Sequence, residues 1–174
     1  ISEKQNLDDL SKKLKTFVGK KVHAKSLYMF RDKDDRKIVD VNSISSGVNI
    51  GSIQFDDIEK IQNSLKKNND DEWSKTDVIK RSTILNKVAD SIEKDPYELI
   101  FYLINEAGKT IQNAIDEIRE GVDFLRYYTE QAKEIIKEKD LDGPTGEDNK
   151  IYYSPKGKFL CISPWNFPLA IFVG

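Results

Sequence analysis

Apolar residues recur at two periods along this chain, and the switches between them mark out its elements. Leu7, Leu10, Leu14 and Phe17 stand three or four apart, which predicts a helix over about Ser2 to Phe17, with Ser2 and Gln5 spaced as a capping box and Gly19 as the stop. From Lys21 to Ile53 the pattern changes. Lys37–Val41 and Val48–Ile53 are β-prone runs separated by Asn42–Gly47, which predicts a strand, turn, strand unit. Asp56 or Asp57 then caps a helix to about Lys67, and Asn68–Asp71 breaks the chain before Trp73.

A helical block follows from Thr76 to about Glu138. Thr76 is placed to cap its first helix, in which Val78, Leu85, Val88, Ala89 and Ile92 share one face. Asp95-Pro96 ends that helix and puts proline at the favoured first position of a second, short one ending near Gly108. A third helix carries Ile111, Ile115, Ile118, Val122, Leu125, Thr129, Ala132 and Ile136 as one continuous stripe, the mark of a long helix packed on a body. The charged residues between them are expected to face solvent. Beyond Lys139, Asp142–Glu147 is a turn-rich connector, and Ile151–Tyr153 and Lys158–Ile162 are expected as strands. The second run is apolar on both faces, as in a strand buried in an α/β sheet. Ser163–Pro168 then forms a stiff turn whose second proline opens a helix at Leu169.

Composition narrows the class. With 38% hydrophobic and 33% charged residues the chain reads as an ordinary soluble protein. No apolar run nears the roughly 20 residues that cross a bilayer, and no signal peptide is evident, so a cytoplasmic setting is expected. Acidic and basic residues, 30 and 28, are intermixed, which argues against a nucleic-acid surface; Lys12–Lys25 reads as a solvated helix face and strand edge. Cys161 is the single cysteine, so no internal disulfide forms, and His23 is the single histidine, leaving a His-based metal site without partners.

Candidate chemistry gathers at Cys161–Phe172, where a strand entering a rigid turn and then a helix is the usual ligand position of α/β folds. The Asn166 amide, between two prolines and two aromatics, suits stabilisation of charge on a carbonyl oxygen. From the residues alone, a local hydrogen bond to the backbone is the competing role. Cys161, in an apolar run without a neighbouring base, reads as an inert buried thiol rather than a nucleophile.

Cys-Ile-Ser-Pro-Trp-Asn-Phe-Pro-Leu-Ala-Ile-Phe at Cys161–Phe172 resembles the signature with which aldehyde dehydrogenases enter their dinucleotide-binding domain. Arg81–Leu85 with Val88–Asp90, Glu106–Thr110 and Asp123–Tyr128 are similar to the superfamily's upstream landmarks in order and spacing. The wording resembles the glutamate-semialdehyde (1-pyrroline-5-carboxylate) dehydrogenase half of the bifunctional proline utilization A proteins, closely over residues 73–174 and loosely over 1–72. The resemblance implies a partial aldehyde dehydrogenase fold of class α/β: a helical layer, a few strands and the start of a Rossmann-like NAD-binding domain. It implies that Asn166 is the oxyanion amide, that Ile162, Ser163, Pro164 and Trp165 line the NAD site, and that Phe167 and Glu120 line the substrate site. Read without the family, Glu120 is a solvated charge on a helix face.

In the family the nucleophilic cysteine, the general-base glutamate and the cofactor glycines fall downstream of the Pro-Trp-Asn motif. The chain is therefore expected to be an amino-terminal fragment, inactive alone, that needs the remainder of the dehydrogenase domain. Residues 1–72 are expected to hold a junction after a proline dehydrogenase module, with FAD confined to that module, and the parent is expected to be a homo-oligomer. The competing reading is a helical interaction piece, complementing a partner chain from a split gene, or a remnant without catalysis.

Overall fold

The structure, a computed structural model, describes residues 4–25, 37–67 and 72–174. Contacts divide the chain into two compact units, Ile1–Asn69 with Pro96–Asp116 and Asp70–Asp95 with Glu117–Gly174. The expected cap at Ser2 and the break at Asn68–Asp71 lie outside the described residues.

In the first unit, helix α1 (Lys4–Lys15) buries Leu10, and Gly19, at φ 83°, follows the turn that ends it. The Phe17 ring lies 6.0 Å from that of Phe101 on α5 (Tyr97–Asn105), and the Lys13 ammonium sits 5.5 Å from the Tyr97 ring. Ile100, Phe101 and Leu103 are the buried face of α5. Strands β1 (Val22–Ala24), β2 (Ile38–Asn42) and β3 (Asn49–Gln54) form a sheet in the order β1-β3-β2. The β2–β3 hairpin is the expected unit; β1 lies within Lys12–Lys25, read as a helix face and strand edge, and its parallel pairing with β3 was not marked by the pattern. His23 lies on that edge strand, with Nδ1 2.7 Å from the Ser52 hydroxyl. The hairpin turn is tied to α5, since Ile44 N–H donates to the Asn105 carbonyl at 2.8 Å. Helix α2 (Ile58–Lys67) starts beyond Asp57, whose carbonyl accepts from Ile61 N–H. Pro96 is the N-cap of α5 rather than its first residue, one position from expectation.

Tyr102 on α5 has a buried hydroxyl with no hydrogen-bond partner among the described residues. Burial, reinforced by Glu98 and Glu106, pushes its pKa above the usual 10.0. A raised folded-state pKa favours the protonated form, so this contribution is intact below about pH 10 and is lost as pH rises through the folded value. Tyr102→Phe removes the unpaired hydroxyl. It is expected to raise stability by about 1 kcal/mol in urea titration and to flatten the decline above about pH 10.

In the second unit, α3 (Glu72–Lys75) leads to α4 (Val78–Lys94), and the cap is Asp77 rather than Thr76. Asp77 Oδ1 accepts from the N–H groups of Ile79 and Lys80 at 2.8 and 3.3 Å, while the Thr76 hydroxyl is turned back to the Glu72 carbonyl. The packed face of α4 also departs from the apolar pattern: Ser82 and Ala89 are buried, whereas Leu85 and Val88 are exposed. The reason is a polar seam, because the Ser82 hydroxyl donates to the Thr129 carbonyl on α6 (Ile111–Ile135).

Ile118, Val122, Leu125 and Thr129 of the expected α6 stripe are buried, and Ala89, Val122 and Leu125 form one core cluster with Ile92 and Val173 against it. Ile136, past the helix end, is exposed. Arg126 joins the same two helices through Asp90, at 2.9 Å, and Glu93; the bond to Glu93, then that to Asp90, raises its pKa. Strands β4 (Lys139–Leu141) and β5 (Asn149–Ile151) pair antiparallel, joined through a turn in which Glu147 N–H donates to the Pro144 carbonyl and Gly146 takes φ 94°. The four-residue α7 (Ala170–Val173) follows the proline-flanked turn. No helix among the described residues is long and apolar enough to cross a membrane.

Candidate functional site

Residues 152–168 lie in neither helix nor strand. The run Lys158–Ile162, expected as a buried strand, is in no strand among the described residues, and Phe159, Leu160 and Ile162 are all more than three-quarters exposed. A strand exists through pairing, and neither two-face apolarity nor β propensity makes one where no neighbouring strand lies alongside. Cys161 shares this position, so its thiol is exposed, not buried. The expectation of an inert, buried cysteine is corrected on burial.

The turn after this run is held from two sides. The Ser163 hydroxyl donates to the Pro168 carbonyl at 2.7 Å, closing the loop that contains Pro164, Trp165, Asn166 and Phe167. At its far end, Glu117 Oε1 accepts from the N–H groups of Leu169 and Ala170 at 2.8 and 3.2 Å. These are donors at the start of α7, where a helix has no internal acceptor for them, and Leu169 supplies no side-chain cap of its own. One turn along α6, a Cβ placed on Gly121 would lie 3.4 Å from Val173 Cγ2 and 3.6 Å from Ala170 Cα. Glycine there lets α7 lie close against α6.

Asn166 sits exposed in this closed loop, and its side chain makes no hydrogen bond to another described residue. The local backbone bond considered from sequence is not formed. Trp165 is largely exposed beside it, and Ser163 and Pro164 are half-buried. Glu120 is half-buried on α6, one turn beyond Glu117, on the stretch that receives Leu169–Val173. Ile162–Phe167 are consecutive in one loop, and Glu120 lies on the helix against which Leu169–Val173 packs, with no hydrogen bond between Glu120 and Asn166.

Glu117 was missed by the reading that sent the charges of α6 to solvent, for it is 1% exposed. A signal existed: Ala114 and Gly121, three before and four after it, are small residues on the same face, a spacing that marks close approach. Among the described residues no cluster of histidine, cysteine or acidic side chains could hold a metal ion. Chemically, the loop offers an exposed amide donor and an irregular backbone with exposed apolar side chains.

Comparison with known proteins gives the family and the fold. The model of the aldehyde dehydrogenase family matches residues 30–174. The bifunctional protein PutA of Salmonella typhimurium is 45% identical over 102 residues, 59% of this chain and 7% of that protein. The 1-pyrroline-5-carboxylate dehydrogenase of a Geobacillus species is 33% identical over 145 residues, 80% of this chain and 28% of the relative. The solved 1-pyrroline-5-carboxylate dehydrogenase from Thermus, which has NAD bound, superposes with a TM-score of 0.83 at 23% identity, over 100% of this chain and 35% of that one, and so shares its fold. The chain therefore spans only a small part of the relatives that it matches.

Proposed function

The chain belongs to the aldehyde dehydrogenase family, and from that premise we propose that it is the amino-terminal part of an NAD-dependent dehydrogenase of glutamate semialdehyde, the open form of 1-pyrroline-5-carboxylate. The carrying observation is the Asn166 amide, exposed and unengaged in a loop closed by Ser163 and Pro168. Asn166 donates to the oxygen of the aldehyde as a cysteine supplied by the rest of the domain attacks its carbon. Phe167 packs on the aliphatic part of the substrate and Glu120 lines its pocket. NAD, when bound, supplies the hydride acceptor. Ile162–Trp165 fits one wall of its site, since the segment is free of any strand ladder and keeps the Ile162 and Trp165 side chains exposed.

Residues 73–174 carry the site, and 1–72 form the region that follows a proline dehydrogenase module, where FAD would reside. A cytoplasmic homo-oligomer suits the complete enzyme. The relatives named as 1-pyrroline-5-carboxylate dehydrogenase and PutA support the choice of substrate.

The test compares NADH formation from glutamate semialdehyde by the 174-residue chain and by the polypeptide that continues it, alongside the intact mass of the natural product. The longer protein is expected to turn over and the short chain to be silent. NADH from the short chain overturns the inactive-fragment reading. A natural product near 20.0 kDa that is silent without a partner favours the competing role as an interaction piece.

A further inference from the structure

We propose that Glu117 is a positioning residue for the reaction, tethering the Asn166 loop to helix α6; this rests on the role assigned to Asn166. Glu117 is buried, and its Oε1 takes both the Leu169 and the Ala170 N–H, so one carboxyl oxygen fixes the backbone three and four residues after Asn166. Ser163 closes the loop from the other side. An apolar side chain at 117 would bury as well, but it would leave α7 free to slide or turn along α6. Two directional hydrogen bonds fix both its height and its rotation, and the short α7 has no side-chain cap to substitute for them. Asn166 therefore takes its position from α6, the 25-residue helix Ile111–Ile135, rather than from its own loop. An oxyanion donor needs this, because a shift of about 1 Å at a reacting centre lowers rate on the order of 10²-fold.

The experiment uses the full-length dehydrogenase carrying this chain, with Glu117→Ala, Asn166→Ala and the double variant. Steady-state kinetics are measured with amide hydrogen exchange over residues 163–172. Glu117→Ala is expected to lower kcat roughly tenfold or more and to speed exchange across 163–172. Glu117→Gln, which keeps an acceptor oxygen, should retain most of the activity. The double variant should be no slower than Asn166→Ala, since Glu117 acts through that amide. Glu117→Asp keeps the carboxyl but shortens its reach, and gives the same ordering if the alanine variant does not fold. Unchanged exchange over 163–172 overturns the tether. Multiplying losses in the double variant overturn action through Asn166. A neutral Asn166→Ala overturns the role of Asn166 itself, and accelerated exchange in Glu117→Ala then still reports the tether separately.

Discussion

On the role proposed for Asn166, Asn166→Ala is expected to lower kcat of the complete dehydrogenase about 10²–10³-fold, the loss of roughly 3–4 kcal/mol that follows removal of one oxyanion donor. The expectation is specific because the amide is exposed and makes no hydrogen bond to a described residue. Folding therefore gives up little when it is removed, and the melting temperature should move by less than about 2 °C. In the proposed role the donor meets its acceptor only as charge develops on the substrate oxygen, so the loss is expected on kcat more than on substrate binding. Asn166→Asp keeps the size but replaces the donor with an acceptor, and should be at least as damaging. Activity within about threefold of the parent in either variant would remove Asn166 from the mechanism.

Gly51→Ala destabilises the first unit by about 3 kcal/mol, with a fall in melting temperature of roughly 6–12 °C. Gly51 occupies the middle strand, opposite Val22 on one side and Val41 on the other. An added Cβ would lie 2.0 Å from the Val22 carbonyl oxygen, and 3.0 Å from its carbon. A side-chain tip could swing away, but a backbone carbonyl moves only if β1 moves, and its three-residue pairing with β3 is then lost. Gly47→Ala is the control. That glycine sits at φ 68° with nothing within 4 Å of the added atom, so backbone strain alone applies, at about 1 kcal/mol. Equal effects of the two substitutions, followed by urea titration, would mean that close approach at Gly51 does not govern the sheet.

How much of this was legible beforehand depends on the range of the interaction. Leu10 on α1, the β2–β3 hairpin, and Ile118, Val122 and Leu125 on α6 follow from spacing, because a residue's neighbours along one helix or hairpin are set by local geometry. Gly108, at φ 68° after α5, was legible for the same reason. The loop at Ser163–Pro168 was legible through its two prolines, and the Pro-Trp-Asn-Phe wording pointed to the family to which the chain belongs.

Errors arose where a partner distant in sequence decided the outcome. The cap at Thr76 is the local exception, since Thr76 and Asp77 are both acceptable by type and the Thr76 hydroxyl is taken by the Glu72 carbonyl one turn back. Lys158–Ile162 has the composition of a buried strand, but pairing depends on a neighbour that composition cannot supply. Gly51 advertises a close approach within a strand, yet only the arrival of β1 says which backbone approaches. Sequence alone determined the helical periods, the hairpin, the rigid turn around Asn166 and the family signature, all properties of residues near one another in the chain. Tertiary structure alone decided that Ser82 lies inward, that Cys161 is exposed and which backbone donors Glu117 meets. Burial and hydrogen bonding of those side chains are set by which segments meet, and a periodic pattern carries no record of the partner.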